Sequence, residues 1–120
     1  MVGEARLGGR DVVVIANDAQ AFNERFPVVY FGVIGMEEAY KMAKTVYRVI
    51  DQDADKEIGE KRPLVLIVDT PGNGPGKIEE IFGMNKATGA YQLALAEARK
   101  AGHAVIALVI GRAISGAFLC

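Results

Sequence analysis

Two glycine-rich segments of this 120-residue sequence have the residue types of an anion-binding site. The first corner, residues 69–76 (DTPGNGPG), follows the apolar run 64–68, and the second corner, residues 111–117 (GRAISGA), follows the apolar run 104–110. Glycine lets a ligand come close to the backbone, and unpaired backbone N–H groups can hold an oxyanion. Both corners are therefore candidate oxyanion-binding segments, although glycine-rich segments of this kind also form ordinary turns.

The corners do not match the common nucleotide-binding motifs. A Walker A loop requires G-x-x-x-x-G-K-[ST], but Pro71 stands where its first glycine belongs and Ile78 where its hydroxyl belongs. The DTPG segment is similar to the D-x-x-G metal corner of GTPases, yet no P-loop precedes it, and residues 85–88 (NKAT) lack the aspartate of a guanine-reading motif. The Rossmann fingerprint G-x-G-x-x-G is absent from the first turn between strand and helix. These differences argue against a nucleotide site.

Ser115 is the side chain of the second corner that could act as a nucleophile. A serine in the pattern Gly-x-x-x-Ser-Gly after a buried strand can be presented at a helix start, although the pattern is not G-x-S-x-G. The single histidine, His103, precedes the same strand, and seven residues at about 3.3 Å each separate it from Ile110. We therefore expect no Ser115–His103 pair within one subunit. A structural or backbone-donor role for Ser115 is favoured over nucleophilic attack with a base from another chain.

Two side chains outside the corners have types that often do chemistry. We interpret His103, at the start of the strand whose far end leads to Ser115, as a polar loop residue. We interpret Cys120, the single cysteine, as a small buried hydrophobic residue. Neither is expected to take part in catalysis.

The elements that precede the corners alternate between apolar runs and amphipathic segments. Residues 11–16 (DVVVIA) predict a strand, and residues 17–35 are irregular. Apolar positions from Met36 to Ile50 recur at spacings of three and four, as on one face of a helix. The polar stretch 51–62 is interpreted as a solvated connector.

Two apolar runs without polar alternation lead into the corners. Residues 64–68 (LVLIV) and 104–110 (AVIALVI) are each expected to be strands buried on both faces, as in a parallel sheet. Between them a second helical stretch extends to Ala101, with Gly102 as its C-cap. Strand, glycine loop, helix and strand at this spacing form a βαβ unit with parallel pairing. The sequence therefore predicts an α/β fold.

Composition restricts the classes of partner. The chain has 51% hydrophobic residues, 24% charged residues and a formal net charge of -1, so no strong field attracts nucleic acid or an anionic membrane. The first ten residues lack the apolar core of a signal peptide, and no apolar run reaches the length of a bilayer span. One cysteine excludes a disulfide framework within the chain. We expect a cytoplasmic chain with no nucleic-acid and no membrane partner.

Both corners resemble segments of a known superfamily. The pattern DTPGxxPGxxxExxG at residues 69–83 resembles D-T-P-G-F-x-P-G-x-x-x-E-x-x-G in biotin-dependent acyl-CoA carboxyltransferases, and residues 112–118 (RAISGAF) resemble their K-A-Y-G-G-A-Y segment. Those proteins belong to the crotonase superfamily. Within it, residues 63–72 and 101–118 are most similar to the gamma subunits of biotin-independent malonate decarboxylases, and residues 6–10 resemble the opening of those subunits. The similarity covers essentially all 120 residues.

The resemblance implies a fold and a reaction. The fold is a crotonase-like (ClpP/crotonase) spiral of ββα units, with residues 1–120 as one carboxyltransferase-type domain. Backbone amides of such corners stabilise a thioester enolate or a carboxyl oxyanion. Decarboxylation of a malonyl thioester to an acetyl thioester is therefore implied, with the N–H groups of Gly116 and Ala117 as oxyanion donors next to Ser115. Three further residues are expected to bind the substrate: Gly72, Asn73 and Gly111.

The same resemblance implies partner subunits. The malonyl group is expected on an acyl carrier subunit, attached through a coenzyme-A-like prosthetic group, and a beta subunit is expected to pair with this chain near the active site. We expect this chain itself to bind no metal and no cofactor. Because none of its side chains convincingly supplies an acid or a base, those groups are expected on a partner, and the hetero-oligomer rather than the single chain is expected to be active.

Several alternatives stay open. The carboxyltransferases carry an aromatic and another bulky residue at positions 73–74 and a glycine at Ser115, so this sequence departs from them at both corners. The alternatives are a carboxyltransferase subunit of a biotin-dependent acyl-CoA carboxylase, another crotonase-type acyl-CoA enzyme, a Clp-like serine hydrolase and a catalytically silent scaffold. Since apolar residues 116–120 stand where a helix should begin, we also expect these 120 residues to be the N-terminal part of a longer subunit, truncated at the C-terminus.

Overall fold

A four-stranded sheet with helices packed on it organises the part of the chain that the structure describes. The computed structural model describes residues 1–20, 24, 32–74 and 76–115. Its elements, in chain order, are β1 (Val2–Leu7), β2 (Arg10–Ala16), α1 (Met36–Gln52), a 3₁₀ helix (Ile58–Glu60), β3 (Leu64–Thr70), α2 (Lys77–Phe82), α3 (Met84–Lys100) and β4 (Val105–Ala113). The α/β prediction is confirmed.

The sheet has the strand order β1-β2-β3-β4. β1 and β2 are antiparallel, whereas β2, β3 and β4 are parallel, as predicted for a βαβ unit. Gly8 and Gly9 connect β1 to β2 with φ angles of 55° and 79°, the left-handed conformation that a two-residue hairpin turn requires. The sequence analysis did not predict β1, because its side chains are mostly exposed and show no apolar alternation.

α1 and α3 pack against each other and against the same face of the sheet. Val13 of β2 pairs with Leu64 of β3, and Leu64 pairs with Val105 of β4, so these three side chains point to one face. The core on that face contains the buried residues Val13, Ile15, Ala43, Val46, Val49, Leu64, Ala94 and Ala98. The predicted helix from residue 36 is confirmed, although Tyr40 on its expected apolar face is 40% exposed.

The second predicted helix is two helices. α2 ends at Phe82 and α3 begins at Met84, because Gly83 between them has φ 84° and ψ 52°, in the left-handed region. α3 ends with Arg99 and Lys100 in its last turn, and Gly102 follows at φ 97°. Among the described residues, no helix has the length and apolar character needed to cross a membrane.

The prediction of a solvated connector at residues 51–62 is wrong for Asp53. This carboxylate is 1% exposed, and it accepts hydrogen bonds from the backbone N–H and the guanidinium of Arg62 at 2.9 Å. Lys56 adds an ion pair at 3.1 Å. Although burial by itself raises the pKa of Asp53, the hydrogen bonds from Arg62 hold it well below its usual range. The buried ion pair ties the end of α1 to the start of β3.

The prediction that both apolar strands are buried on both faces holds for β3 but is wrong for β4 in the described structure. Leu64 and Val65 of β3 are both buried, and as successive strand residues they point to opposite faces of the sheet. β4 is the outermost described strand, and its flank and much of its surface are left open. Its exposed apolar residues are Ile106, Leu108, Val109 and Ile110.

Candidate functional site

The two corners lie side by side at one edge of the sheet. β3 and β4 are parallel neighbours, so the segments that follow them leave the sheet at the same edge. The register shifts between Val68 and Thr70, where Thr70 pairs with Ala113. The backbone N–H of Ile114 then donates to the carbonyl oxygen of Thr70 at 3.3 Å. The two corners, each a candidate oxyanion-binding segment, are therefore close enough to contribute to one site.

Asp69 and Arg112 join the first corner to the second. The Asp69 Oδ1 atom accepts hydrogen bonds from the backbone N–H and from Nε of Arg112, both at 3.0 Å. These bonds, the backbone one above all, lower the pKa of the Asp69 carboxyl. Gly111 makes room for this contact, since a Cβ on residue 111 would lie 2.7 Å from Oδ1 of Asp69. The glycine is thus explained by packing, and its substrate-binding role stays a prediction.

Thr70 connects a third segment to the corners. Its buried hydroxyl donates to the carbonyl oxygen of Gly32 at 2.7 Å and accepts a hydrogen bond from the backbone N–H of Gly72 at 3.0 Å. Gly32 has φ 85°, and a Cβ there would lie 2.6 Å from the Asp69 carbonyl oxygen. Sequence reasoning missed both Thr70 and Gly32, because nothing in the sequence pairs positions 38 residues apart.

Residues 72–74 run beside the segment that leads into α1. The N–H of Ile34 donates to the Gly72 carbonyl at 3.0 Å, and the N–H of Gly74 donates to the Ile34 carbonyl at 2.8 Å. The N–H of Gly72 is also bonded, since it donates to the Thr70 hydroxyl oxygen. The Asn73 Oδ1 atom is buried without a hydrogen-bond partner among the described residues. Substrate binding by Gly72 and Asn73 stays a prediction.

Gly72 and Ser115 bring the two corners into direct contact. Gly72 has φ 119°, and a Cβ there would lie 2.7 Å from Cβ and 3.2 Å from Oγ of Ser115. Ser115 itself has φ 66°, the one positive φ of a non-glycine residue in the described part of the chain. Such a conformation costs on the order of 1 kcal/mol or more and is concentrated at functional sites. The strained, exposed serine marks this contact as the centre of the candidate site.

Three predicted residues lie outside the described structure. Gly116 and Ala117, the expected oxyanion donors, follow Ser115 directly, and Cys120 ends the given sequence. Their roles stay predictions. Ser115 is the last described residue before them.

His103 lies at the opposite end of β4 from Ser115. Its Nδ1 atom is 2.9 Å from the carbonyl oxygen of Arg62, and the residue is 3% exposed. The expected separation from Ser115 is confirmed, whereas the expectation of a polar loop side chain is only half right, because the imidazole is buried. Within the described ranges, no group of three His, Cys, Asp or Glu side chains is arranged to hold a metal ion.

Glu79 is a buried acid next to the first corner that sequence reasoning missed. It is 1% exposed at the start of α2, and neither carboxylate oxygen has a hydrogen-bond partner among the described residues. Burial and, secondarily, the charge of Glu38 raise the pKa of Glu79. The sequence carries no signal for this, because the adjacent Glu80 has the same residue type and is exposed.

Comparisons with known proteins agree with this geometry. The family model of the malonate decarboxylase gamma subunit matches residues 31–120. A Malonomonas rubra protein, the malonyl-S-ACP:biotin-protein carboxyltransferase MADD, is 71% identical over all 120 residues, which span 41% of its length. The Pseudomonas malonate decarboxylase MdcD-MdcE heterodimer is similar at 37% identity and a TM-score of 0.88, over 98% of this chain and 45% of that chain.

A more distant structure supports the same fold. The transcarboxylase 12S hexamer is similar at 28% identity and a TM-score of 0.75, over 98% of this chain and 20% of that chain. The crotonase-like fold predicted from the sequence is confirmed by these neighbours. The given chain spans less than half the length of each of these relatives.

Proposed function

Because this chain belongs to the malonate decarboxylase gamma subunit family, we propose that it forms part of an enzyme that removes the free carboxyl group of a malonyl thioester. Loss of that carboxyl as CO2 leaves the electron pair of the broken C–C bond on the thioester enolate, and protonation of the enolate gives the acetyl thioester. The developing charge on the enolate oxygen needs donors that are already in place. The close approach of Gly72 to Ser115, which brings the two corners together, is the observation that carries this proposal.

The backbone, rather than a side-chain nucleophile, is proposed to do the chemistry. His103 is committed to the Arg62 carbonyl at the far end of β4, so within the described residues Ser115 has no histidine base. The N–H groups of Gly116 and Ala117 are the proposed oxyanion donors. The Asp69–Arg112 pair, which joins the first corner to the second, supports this proposal.

Partner subunits complete the proposal. The substrate is a malonyl group on an acyl carrier subunit, linked through a coenzyme-A-like prosthetic group that supplies the thioester. A beta subunit supplies the proton donor and the rest of the site, so this chain is inactive alone. The solved Pseudomonas relative is a heterodimer, which supports a paired arrangement. A cytoplasmic location goes with this proposal, since its substrate is a carrier-bound metabolite.

A carboxyl transfer is the second candidate. The relative with 71% identity is named as a malonyl-S-ACP:biotin-protein carboxyltransferase. In that reaction the carboxyl group passes to a ureido nitrogen of biotin while the same enolate is left on the thioester. The two candidates therefore need the same oxyanion donors and differ in the acceptor of the carboxyl group.

One experiment separates the candidates. The full-length subunit is co-expressed with its beta subunit and supplied with malonyl carrier protein labelled in the free carboxyl group. We expect release of labelled CO2 without any biotin protein. Label that leaves the thioester only when a biotin protein is added, and is then found on biotin, would favour the second candidate. An intact malonyl thioester under both conditions would contradict both.

A further inference from the structure

A groove with three cations runs along the outer side of α1. Lys41, Lys44 and Arg48 line it together with Tyr40, and Val2 of the edge strand β1 forms part of its other side. Its volume is about 760 Å³. We call it the basic groove. Its described lining residues come from α1 and β1.

The three cations are concentrated on one helix face and are not neutralised. They recur at spacings of three and four residues, which places them on one side of α1. All three are exposed, and within the described residues none of them forms an ion pair. Yet the whole sequence is almost neutral, with 14 Lys and Arg against 15 Asp and Glu. Three positive charges are thus collected along a groove whose acidic lining residue, among those described, is Glu37, and this excess of positive charge favours a partner of opposite sign.

The basic groove starts next to the first corner. Ile34, just before α1, exchanges backbone hydrogen bonds with Gly72 and Gly74. Glu37 in the first turn of α1 also lines the groove. At about 1.5 Å per residue, the stretch from Glu37 to Arg48 is about 16 Å long. A partner lying in the groove therefore has one end close to the candidate site and the other a helix length away from it.

We propose that the basic groove docks an acidic surface of the acyl carrier subunit, so that its prosthetic arm enters the site between the two corners. This inference rests on the proposed function, which places the substrate on such a carrier. A carrier whose arm must reach a site needs its body anchored at a distance from that site. The groove provides such an anchor. Because its cations attract negative charge, the face of the carrier that binds there is rich in carboxylates.

The test compares two substrates on the full-length complex with its beta subunit. One substrate is malonyl carrier protein, and the other is the small thioester malonyl-N-acetylcysteamine, which has no protein body. We expect the neutralising variant K41Q/K44Q/R48Q to lower the ratio of kcat/KM for the carrier to kcat/KM for the small thioester by at least about tenfold. The wild-type ratio should fall with added salt, and the variant's ratio much less. The matched control K86Q/R99Q/K100Q removes the same charge from exposed sites on α3 and should keep the wild-type ratio.

Three outcomes decide the proposal. An unchanged ratio in the neutralising variant, with wild-type thermal unfolding, would overturn it. Loss of co-elution with the beta subunit would also overturn it and assign the groove to that subunit. If the wild-type complex turns over neither substrate, the proposed function fails instead. Binding of the carrier without its prosthetic group, measured by calorimetry, should weaken to the same extent in the charge-reversal variant K41E/K44E/R48E.

Discussion

Ser115 and Gly72 define the candidate site because each has a backbone conformation that needs an explanation. A serine at φ 66° is sterically disfavoured, and the glycine opposite it has no room for a side chain. Thr70 and Asp69 hold the surrounding backbone by hydrogen bonds to Gly32, Gly72 and Arg112. The proposed chemistry depends on where backbone N–H groups point rather than on reactive side chains.

The Asp69–Gly111 contact gives a prediction about single residues. In Gly111→Ala, the new Cβ would lie 2.7 Å from the Asp69 carboxylate, which must move away from Arg112. We expect a loss of about 1–3 kcal/mol in the free energy of unfolding, measured with urea on the full-length subunit.

A double-mutant cycle and a control variant test whether the contact with Asp69 causes the loss of stability in Gly111→Ala. Asp69→Ala removes the group that the new methyl meets, so the two substitutions together should cost less than the sum of their separate effects. Gly3→Ala is the control, because nothing lies within 4 Å of a Cβ there. Strict additivity of Gly111→Ala and Asp69→Ala would show that the contact does not constrain residue 111.

The helices and strands place the site, and each of them does so through a tertiary contact. α1 is anchored at its C-terminal end by Asp53 and Arg62, and the segment before it is bonded to residues 72–74. α2 begins directly after the first corner and buries Glu79. A change in the packing of α2 would therefore reach the corner through very few residues.

Glu79 makes the stability of this packing depend on pH. Its pKa is raised in the folded protein above the ordinary 4.5, so the folded state keeps a proton that the unfolded chain releases as the pH rises. At pH values well below the ordinary pKa, this group does not change the free energy of unfolding. At higher pH the free energy of unfolding falls progressively, until the folded carboxyl also ionises. We expect Glu79→Gln to stabilise the subunit, by more at about pH 7 than at about pH 4.

The control for Glu79→Gln is the same substitution at the neighbouring residue, Glu80. Glu80 is on the same helix and is exposed, so Glu80→Gln should leave the pH dependence as in the wild type. The measurement is the free energy of unfolding at several pH values. A Glu79→Gln variant that is less stable than the wild type at neutral pH would show that the charged carboxylate is stabilised by a partner.

Across the whole molecule, the sequence alone predicted those elements whose pattern lies within a short run of neighbouring residues. The apolar runs 11–16 and 64–68 and the period of α1 predicted the strands, the helix and the parallel sheet. The two corners were found from their glycines and their position after strands. The predictions failed where burial depends on neighbours. Asp53 is polar in sequence but buried by Arg62, and β4 is apolar but lies at the edge of the described sheet.

The parts of the site that could not be predicted share one cause. The roles of Thr70 and Gly111 come from contacts with Gly32 and Asp69, which are far away in sequence. A sequence pattern shows that a glycine is present but not which atom fills the space beside it. The left-handed conformation of Ser115 likewise occurs where the second corner lies against Gly72, a neighbour that is far away in sequence.

The most direct test of the whole account is the rate of CO2 release from malonyl carrier protein by the full-length complex carrying Gly72→Val or Ser115→Ala. The valine would push the corners apart at Ser115, so we expect a loss of at least about 100-fold in kcat, as for an oxyanion donor that is no longer in place. Ser115→Ala removes only the hydroxyl and should stay near the wild-type rate. A folded Gly72→Val complex with a normal rate, or complete loss of activity in a folded Ser115→Ala complex, would contradict the account.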